Sequence, residues 1–503
     1  MKPQTGELFL PFTMDATSSI PLYRQLYESL RQAILTGQLQ AGTRLPATRF
    51  LSERLGVSRT TVIQAFEQLF SEGYVEGRAG SGTFVASVLP DELLHLSAES
   101  APAPRTSRQG RSLSQRGQIL ASASVSTVHY YSEARAFRPG IPDLTHFPFK
   151  TWARLATKHW RQPPRDYLGY SHPAGYQPLR EAIADYVRTA RGVHCSAEQV
   201  LVISGSQQAL DLAARVLLDP ADAAWMEDPG YLGAREALLG SGARLVPIPV
   251  DDEGLDVSAG IARCPDARMV YVTPSFQFPL GTTMSLARRL LLLQWASRSG
   301  AWVLEDDYDS EFRYAARPLA SLQGLDTSDQ VIYIGTFSKV LFPGLRLGYL
   351  IVPPDLVDAF TAARAVTDRH SPILDQVVLT DFIIQGHFAR HIRLMRELYA
   401  ERQAYLVEMA TRHLADLLAI QPTEAGMHLV GTLPAGMQDQ EVAHYAERQQ
   451  LITPPLSTYS MATAPRQALL LGYTALTKQE INAGIQRLAQ VLLDMPGQES
   501  TTH

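Results

Sequence analysis

The 503-residue chain is long enough for two to four domains, and its composition, 45% hydrophobic and 19% charged, is typical of a globular protein. A net charge of −5 excludes a globally basic nucleic-acid-binding protein, so any DNA contact must come from a local patch. The two isolated cysteines argue against a disulfide framework and a structural zinc site. The N-terminus does not resemble a signal peptide, and no run of about 18 apolar residues could span a membrane. We therefore expect a cytoplasmic protein without a bound metal.

Residues 14–86 show three helical patterns followed by a hairpin. The helical patterns cover residues 20–36, 46–56 and 59–71. Ser58 caps the third helix, and the Gly at the end of the second lies in a short turn, so the pair predicts a helix-turn-helix. Two short β runs around a Gly-rich turn in residues 73–85 predict a winged hairpin. We interpret the whole segment as a winged helix-turn-helix; the alternative is a small helical domain whose hairpin binds protein.

Polar residues at the start of the third helix can reach base edges and phosphates from a major groove. These residues are Ser58, Arg59, Thr60, Thr61 and Gln64. In the wing, small residues let backbone N–H groups approach a phosphate, and Arg78 adds positive charge. The run RLPATRFLSERLGVSRTTVIQAFEQLFSEGYVEGRAGSGTFV resembles GntR-type bacterial regulators. That resemblance implies DNA contacts from Arg44, Arg49, Ser58, Arg59, Thr60 and the wing glycines Gly80 and Gly82.

Residues 87–134 are rich in Ser, Ala, Pro, Gln and Arg and have no clear period, which predicts a flexible linker. No acidic residue lies between Glu99 and Glu133, whereas four arginines do. We favour a solvated tether over one that also contacts DNA phosphates, because runs of charge are usually solvated.

From residue 135 to 495, short apolar runs alternate with helical stretches, which predicts an α/β domain with a largely parallel sheet. The apolar runs cover residues 200–203, 269–272, 301–304, 331–334 and 348–352. In such sheets ligands bind beyond the carboxyl ends of the strands, and the candidate cofactor residues follow these runs.

Lys339 is one of only five lysines among 45 basic residues, so a chain that otherwise uses Arg keeps an amine here. An amine can form a Schiff base with an aldehyde, and a guanidinium cannot replace it. Thr336, Ser338 and Arg346 lie nearby in sequence and can hold a phosphate. The combination predicts a pyridoxal 5′-phosphate (PLP) pocket; the alternative is a lysine that extends from a strand end into solvent.

Three further segments carry suitable groups. The stretch from Ser204 to Leu212 is a Gly turn that opens a helix, where free N–H groups favour a phosphate. Tyr231 follows a strand and can stack on a flat ring. The carboxylates of residues 305–309 lie at a strand end, where one beside a pyridine nitrogen would keep it protonated, and Tyr308 can bond the ring's phenolic oxygen. The alternative for this acidic cluster is Mg²⁺ binding.

These segments together resemble fold-type I PLP enzymes of the aspartate-aminotransferase superfamily. The resemblance implies that Lys339 forms the Schiff base and that Asp306, or alternatively Asp307, partners the pyridine nitrogen. It implies that Tyr308 contacts the phenolic oxygen and Tyr231 stacks on the ring. The implied phosphate-binding residues are Ser206, Gln207, Thr336, Ser338 and Arg346. Tyr170 resembles a tyrosine that reaches the phosphate of the neighbouring subunit, which implies a homodimer.

A winged helix fused to such a domain is similar to the MocR subfamily of GntR-type regulators. It implies a PLP-dependent transcription factor that senses an amine, an amino acid or PLP itself, with vitamin B6 or amino-acid metabolism as the regulated process. Two departures stand out: Phe276 replaces a common His, and the apolar run Leu469-Leu470-Leu471 replaces the usual carboxylate-binding Arg. The alternatives are an active aminotransferase with an appended DNA-binding domain and a cofactor-free DNA-binding scaffold.

Overall fold

The computed structural model describes residues 14–15, 17–78, 80–89, 112–122, 136–314, 320–462 and 466–495. The chain divides into two compact units, Met1–Ser112 and Leu113–His503.

The first unit is a three-helix domain with a β-hairpin. Its elements are α1 (Leu22–Leu35), α2 (Thr48–Leu55), α3 (Arg59–Ser71), β1 (Val75–Arg78) and β2 (Gly82–Val85). Gly56 ends α2 in a left-handed conformation, and the Ser58 hydroxyl accepts a hydrogen bond from the Thr61 backbone N–H at the start of α3. The apolar faces of all three helices meet in one core with the hairpin residue Val85. The predicted helix-turn-helix and wing are therefore confirmed, although α2 begins two residues later than expected.

The second unit contains an eight-stranded mixed sheet. Its strands are β3 (Val200–Ile203), β4 (Ala223–Asp228), β5 (Arg244–Asp251), β6 (Gly254–Leu255), β7 (Met269–Val272), β8 (Trp302–Asp307), β9 (Val331–Thr336) and β10 (Gly348–Ile351). The strand order is β3-β10-β9-β8-β7-β4-β5-β6. Strands β9, β8, β7, β4 and β5 are mutually parallel, and β10 is antiparallel to both β3 and β9. The largely parallel sheet is confirmed, and the carboxyl ends of β3, β4, β7, β8 and β9 share one edge.

Alternating side chains bury both faces of this sheet. Met269 and Tyr271 pack into one apolar cluster, and Val270 and Val272 into another. The covering and flanking helices are α4 (Gln115–Ser122), α5 (Phe149–Arg161), α6 (Gln177–Arg191), α7 (Ser206–Leu217), α8 (Leu232–Ser241), α9 (Val257–Arg263), α10 (Leu286–Ser299), α11 (Leu322–Leu325) and α12 (Val357–Thr367).

The C-terminal part adds a small antiparallel sheet and long helices. These elements are α13 (Ile373–Ile384), α14 (His387–Leu414), β11 (Ala419–Ile420), β12 (His428–Thr432), α15 (Asp439–Arg448), β13 (Ala468–Gly472) and α16 (Lys478–Asp494). Strand β12 pairs with both β11 and β13, and Leu469 and Leu471 of β13 enter the core beside α14 and α16.

The predicted flexible linker is wrong for residues 115–122, which form α4. Leu120 of α4 packs directly on α8: a Cβ added at Gly240 would lie 2.8 Å from Leu120 Cδ2. An Arg116 guanidinium nitrogen lies 3.4 Å from the Ser241 carbonyl oxygen. In the sequence, the one feature that marks this short helix is the apolar pair Ile119-Leu120 within a polar stretch. Residues 90–111 and 123–135 of the predicted linker lie outside the described residues.

Among the described residues, no helix is both long enough and apolar enough to cross a membrane.

Candidate functional site

Lys339 lies just beyond the carboxyl end of β9. Its amine donates a hydrogen bond to the carbonyl oxygen of Gly140 at 2.9 Å, and a Cβ added at Gly140 would lie 2.7 Å from Nζ. Only Gly therefore leaves room for the amine at this position. Burial lowers the pKa of Lys339, while the carboxylates of Asp309 and Asp306 oppose that shift. A lowered pKa favours the unprotonated amine, which is the nucleophilic form.

The segment opposite Lys339 is fixed by buried polar contacts. Asp143 forms an ion pair with Arg402 at 2.6 Å, and both side chains are buried. The Thr474 hydroxyl donates to the Ile141 carbonyl oxygen at 2.6 Å. The loop that carries Gly140 is thus held against α14 and the end of β13.

Asp306 is buried on β8, and one of its two carboxylate oxygens accepts a hydrogen bond. The Tyr271 hydroxyl donates to Oδ2 at 2.9 Å, whereas Oδ1 has no hydrogen-bond partner among the described residues. Burial raises the pKa of Asp306 to about 7, with a further rise from Asp307 and opposition from the Tyr271 hydrogen bond and Lys339. A buried carboxylate oxygen without a partner fits a proton donor such as a pyridinium N–H.

Asp307, the alternative partner for the pyridine nitrogen, points to the other face of the sheet because side chains alternate along a strand. Its Oδ2 accepts a hydrogen bond from Arg191 Nε at 2.7 Å and others from Ser310 and Tyr333. Both side chains of the Asp307–Arg191 ion pair are buried. The structure thus gives Asp307 a partner of its own and leaves Asp306 on the side of Lys339.

The remaining acidic residues of this stretch do not converge on one point. Within the described ranges, no three His, Cys, Asp or Glu side chains are arranged to hold a metal ion. The neighbours of the cluster are instead Lys339, Arg191 and tyrosine hydroxyls, which are proton donors rather than metal ligands.

A phosphate-sized cradle forms where β3 and β9 flank β10. Gly205, with φ of 110°, caps α7 immediately before Ser206, so the first N–H groups of the helix are free to bind an anion. The Arg346 guanidinium lies beside this helix start, because both of its Nη atoms would be 3.5 Å from a Cβ atom added at Gly205. At the end of β9, the Ser338 N–H donates to the Thr336 hydroxyl at 3.2 Å. Gly348 pairs with both Thr336 and Ile203, so these groups share one edge.

Gln207 and Tyr231 meet at the start of α8. Gln207 Nε2 donates to the Gly233 carbonyl oxygen at 2.9 Å, and Tyr231 caps α8. A Cβ added at Gly233 would lie 2.5 Å from Gln207 Oε1 and 2.6 Å from the Tyr231 ring. The Gln207 side-chain amide thus contacts the start of this helix, and phosphate binding by Gln207 stays a prediction.

The aromatic wall of the site is centred on Phe278. Its ring lies 5.8 Å from Tyr231 and 6.1 Å from Tyr308, in edge-to-face arrangements. The buried Tyr308 hydroxyl lies beside the Asp309 carboxyl, which is an acceptor for it in the PLP-free site. An acceptor bound in the site, such as the phenolic oxygen of a cofactor, would compete with Asp309 for this proton.

Tyr170 stands apart from this group within one chain. Its side chain is 85% exposed, with the Arg369 guanidinium 5.1 Å from the ring centre and His370 at its edge. The prediction that Tyr170 serves a neighbouring subunit stays a prediction.

The two sequence departures lie in buried, mainly apolar surroundings. Phe276 packs edge-on against His428, with ring centres 5.5 Å apart, and burial lowers the pKa of His428 to about 4. Leu470 belongs to an apolar cluster with Leu456 and Ala468, against which Phe278 packs. A carboxylate beside Leu470 would meet methyl groups rather than hydrogen-bond donors.

The winged domain presents the predicted polar surface at the start of α3. Arg59, Thr60 and Gln64 are exposed, and Thr61 is half-buried. The Ser58 hydroxyl bonds both the N–H and the hydroxyl of Thr61, so Ser58 has a structural role as the helix cap. This is the geometry of a helix start that can approach an anionic backbone.

The wing arginines already have partners on the protein. Arg78 pairs with Glu76 at 2.7 Å and stacks 4.6 Å from the centre of the Phe84 ring. Arg44 lies against the hairpin, with Nε 3.1 Å from a Cβ added at Gly82. Gly80 has a positive φ in the turn.

Arg49 is more than four-fifths exposed and forms an ion pair with Glu53 one turn later on α2. To contact DNA phosphates, Arg78 would have to leave Glu76, and Arg49 would have to leave Glu53.

Two family models match consecutive parts of the chain. Residues 22–85 match bacterial regulatory proteins of the gntR family, and residues 140–488 match aminotransferase class I and II. The probable rhizopine catabolism regulatory protein MocR of Rhizobium meliloti is 45% identical over 95% of this chain and 95% of its own length. The chain belongs to the MocR-type GntR regulators. This regulator is a DNA-binding transcription factor with an aminotransferase-like second domain.

Further relatives agree with this assignment. The pyridoxine biosynthesis transcriptional regulator PdxR of Corynebacterium glutamicum is 30% identical and covers 92% of this chain and 94% of its own length. The α-aminoadipate aminotransferase LysN of Thermus thermophilus superposes with a TM-score of 0.69, at 29% identity over 75% of this chain and 97% of LysN. That structure contains N-(5′-phosphopyridoxyl)-L-leucine.

The cofactor of the second domain is PLP, which the aminotransferase class I and II family and its solved structures indicate. The site geometry fits it through the Lys339 amine, the unpartnered Asp306 oxygen and the Gly205–Arg346 cradle. The sequence did not single out Gly140, Tyr271 or Arg191. Tyr271 was hidden in an apolar strand, and Arg191 is distant in sequence from its partner.

Proposed function

We propose that the regulator changes its affinity for operator DNA when an amine, an amino acid or PLP itself occupies the site at Lys339. The observation that carries the proposal is the amine of the half-buried Lys339, on the same side of the sheet as the unpartnered oxygen of Asp306. PLP, when bound, supplies an aldehyde that reacts reversibly with amines. A regulator of this kind acts in the bacterial cytoplasm, and the name of the PdxR relative makes vitamin B6 metabolism one candidate for the regulated process.

We assign the cofactor contacts residue by residue. Lys339 supplies the amine, Asp306 holds the pyridine nitrogen, Tyr308 faces the phenolic oxygen and Tyr231 lies against the ring. The phosphate is bound by the start of α7 at Ser206 and Gln207, by Arg346, and by Thr336 and Ser338. Charge complementarity supports these assignments, because the doubly charged phosphate would lie between the positive Arg346 guanidinium and the positive N-terminal end of α7.

The α4–α8 contact links the proposed cofactor site to the first helix of the second unit. Helix α8 begins at Tyr231, beside the proposed cofactor ring, and its last turn carries Gly240, on which Leu120 of α4 packs. Helix α4 lies in the second unit, directly after the boundary between the two units in sequence. A shift of Tyr231 on effector binding would therefore displace α4 through α8. An effector has this influence only if it binds one arrangement better than the other.

We also propose that the working form is a homodimer. Tyr170, Leu168 and Val366 are large and highly exposed, at 85%, 65% and 85%. Exposed side chains of this kind are common in oligomer interfaces. In the dimer, Tyr170 would contact the phosphate held by the other subunit.

For DNA, we propose that Arg59, Thr60, Thr61 and Gln64 read bases, while Arg44, Arg49, Arg78, Gly80 and Gly82 contact the backbone. Ser58 positions these residues by capping α3. The exposure of the α3 start supports this division, because base edges are reached only by side chains that project into a groove.

The experiment is an absorbance spectrum of the purified regulator with PLP, before and after the addition of candidate amines. We expect a visible cofactor band that is absent from a Lys339→Ala variant and that shifts with the effector. Absence of the band from the wild-type protein at saturating PLP would refute the cofactor assignments.

A second candidate is catalytic transamination, which the presence of both Lys339 and Asp306 favours. The apolar surroundings of Leu470 count against it for amino-acid substrates. Steady-state turnover above about 1 s⁻¹, an ordinary enzyme rate, would establish it.

A further inference from the structure

His428 is a buried histidine that none of the roles above uses. It begins β12 and is 2% exposed. Its Nε2 lies 2.9 Å from the carbonyl oxygen of Pro279. A carbonyl oxygen can only accept a hydrogen bond, so Nε2 carries the proton of the neutral ring and Nδ1 carries the lone pair. Burial lowers the pKa of His428 to about 4, which keeps the ring neutral near pH 7.

The lone pair on His428 Nδ1 is available to a ligand. No described residue donates a hydrogen bond to this atom. Among the described residues, the fully enclosed polar atoms without a partner do not include Nδ1 either, so this atom borders accessible space although the residue as a whole is buried. An acceptor placed in this way is suited to a hydrogen-bond donor on a bound molecule.

His428 shares one face of the small antiparallel sheet with the apolar cluster that contains Leu470. Side chains alternate along a strand, so His428 projects to the same side as Val430, which packs against this cluster. The His428 ring centre lies 5.5 Å from that of Phe278, the central ring of the aromatic wall. One border of His428 is therefore the wall that adjoins the proposed cofactor ring.

The other border of His428 is the loop that carries Gly140. His428 pairs with Gly472 of β13, and paired residues of antiparallel strands project to the same face. A Cβ added at Gly472 would lie 2.2 Å from the Arg138 carbonyl oxygen, so the backbone around Arg138 crosses this face directly beside His428. Two residues further on, the carbonyl oxygen of Gly140 accepts the hydrogen bond from Lys339. His428 thus lies between the aromatic wall and the loop that meets the Lys339 amine.

We propose that His428 is an effector-binding residue and that the effector is an amine carrying a hydroxyl group. This rests on the proposed sensing function. The amine occupies the Lys339 end of the site, and the hydroxyl donates to His428 Nδ1. A carboxylate would meet the lone pair of Nδ1 without a proton to share, and a second ammonium would be buried against an apolar cluster that holds no carboxylate. A hydrogen bond between neutral groups contributes roughly two- to tenfold in affinity.

The test is a titration of the PLP-loaded, full-length regulator with pairs of amines that differ only in a terminal methyl or hydroxyl group, followed by the cofactor absorbance band. The pairs are propylamine with ethanolamine and butylamine with 3-amino-1-propanol, and β-alanine and 1,3-diaminopropane carry a charged terminal group instead. We expect the amino alcohol of one pair to bind at least about threefold more tightly than its alkylamine and than both charged amines. This comparison uses the wild-type protein alone, so it does not depend on the folding of a variant.

Two substitutions separate the roles of the two ring nitrogens. In His428→Asn the amide oxygen replaces the acceptor Nδ1, whereas in His428→Gln the amide nitrogen replaces the donor Nε2 and keeps the bond to Pro279. The preference for the amino alcohol should persist in His428→Asn and be lost in His428→Gln. The cofactor band before amine addition shows whether the site of each variant is intact.

Several outcomes would overturn the inference. Equal or tighter binding of the alkylamine in both pairs, or tightest binding of β-alanine or the diamine, would do so while the sensing proposal stands. A preference that survives in His428→Gln, or that is lost equally in both variants, would make His428 a positioning residue for the loop at Pro279. A cofactor band that no amine perturbs would overturn amine sensing itself, and this inference with it.

Discussion

Replacing Asp306 by Asn should stabilise the PLP-free regulator at alkaline pH while weakening its hold on PLP. Burial raises the pKa of Asp306 from a usual 3.8 to about 7 in the folded protein. Between these values the folded state binds more protons than the unfolded state, so this group's contribution to stability falls as pH rises from about 4 to 7. At 1.36 kcal/mol per pKa unit, the penalty above pH 7 is about 4 kcal/mol.

Asp307→Asn is the matched control on the neighbouring residue. Asp307 is paired with buried Arg191 at 2.7 Å, so its removal leaves an unpaired buried guanidinium and should cost about 3 to 5 kcal/mol at pH 5 and at pH 8. At pH 8 we therefore expect Asp306→Asn to raise the free energy of unfolding and Asp307→Asn to lower it.

The assay is denaturant unfolding of PLP-stripped protein at pH 5 and pH 8, followed by tryptophan fluorescence. All five tryptophans lie between residues 152 and 302, so the signal reports the second unit alone. The stability gain of Asp306→Asn over wild type should be larger at pH 8 than at pH 5. A destabilised Asp306→Asn at pH 8, similar to Asp307→Asn, would refute the reasoning that burial makes the ionised Asp306 carboxylate costly in the PLP-free protein.

Three further predictions concern DNA binding and coupling. Arg59→Ala should weaken binding to an operator selected from random DNA far more than binding to random DNA itself. Arg78→Ala should weaken both and lower the slope of log affinity against log salt concentration by about 1. Equal losses for the two variants in filter binding would contradict these roles. Gly240→Val and Leu120→Ala, which disturb the α4–α8 contact, should leave the PLP band intact but reduce the effector-induced change in operator affinity; an unchanged response excludes the proposed route. Ser58→Ala should cost about 1 kcal/mol through loss of the α3 cap, seen in the thermal unfolding of the winged domain by circular dichroism, and an unchanged transition would contradict that role.

The fold followed well from sequence where local patterns were strong. The apolar face of α3, its Ser58 cap and the Gly56 stop are all local, and the observed bounds match closely. Strand β8 was predicted too short, because three acidic residues at its end do not look like buried strand. They are tolerated there because Arg191, Tyr271 and the backbone N–H groups of residues 322 and 323 supply distant partners.

The positions of the proposed cofactor residues followed from the sequence as far as each residue follows a strand or opens a helix. The choice between Asp306 and Asp307 was not, because it depends on which sheet face meets Arg191 and which meets Lys339. Helix α4 was missed since eight residues with two apolar side chains carry little periodic signal; its packing on α8 requires knowledge of Gly240, more than one hundred residues away in sequence.

The most direct test of the sensing account is the operator affinity of the PLP-loaded regulator with and without its effector, measured by fluorescence anisotropy for wild type and Lys339→Ala. The account predicts a change of about 5- to 150-fold on effector binding in the wild type, the usual range of coupling between two sites, and none in the variant. Equal operator affinities for PLP-loaded, PLP-stripped, effector-bound and Lys339→Ala proteins would contradict it.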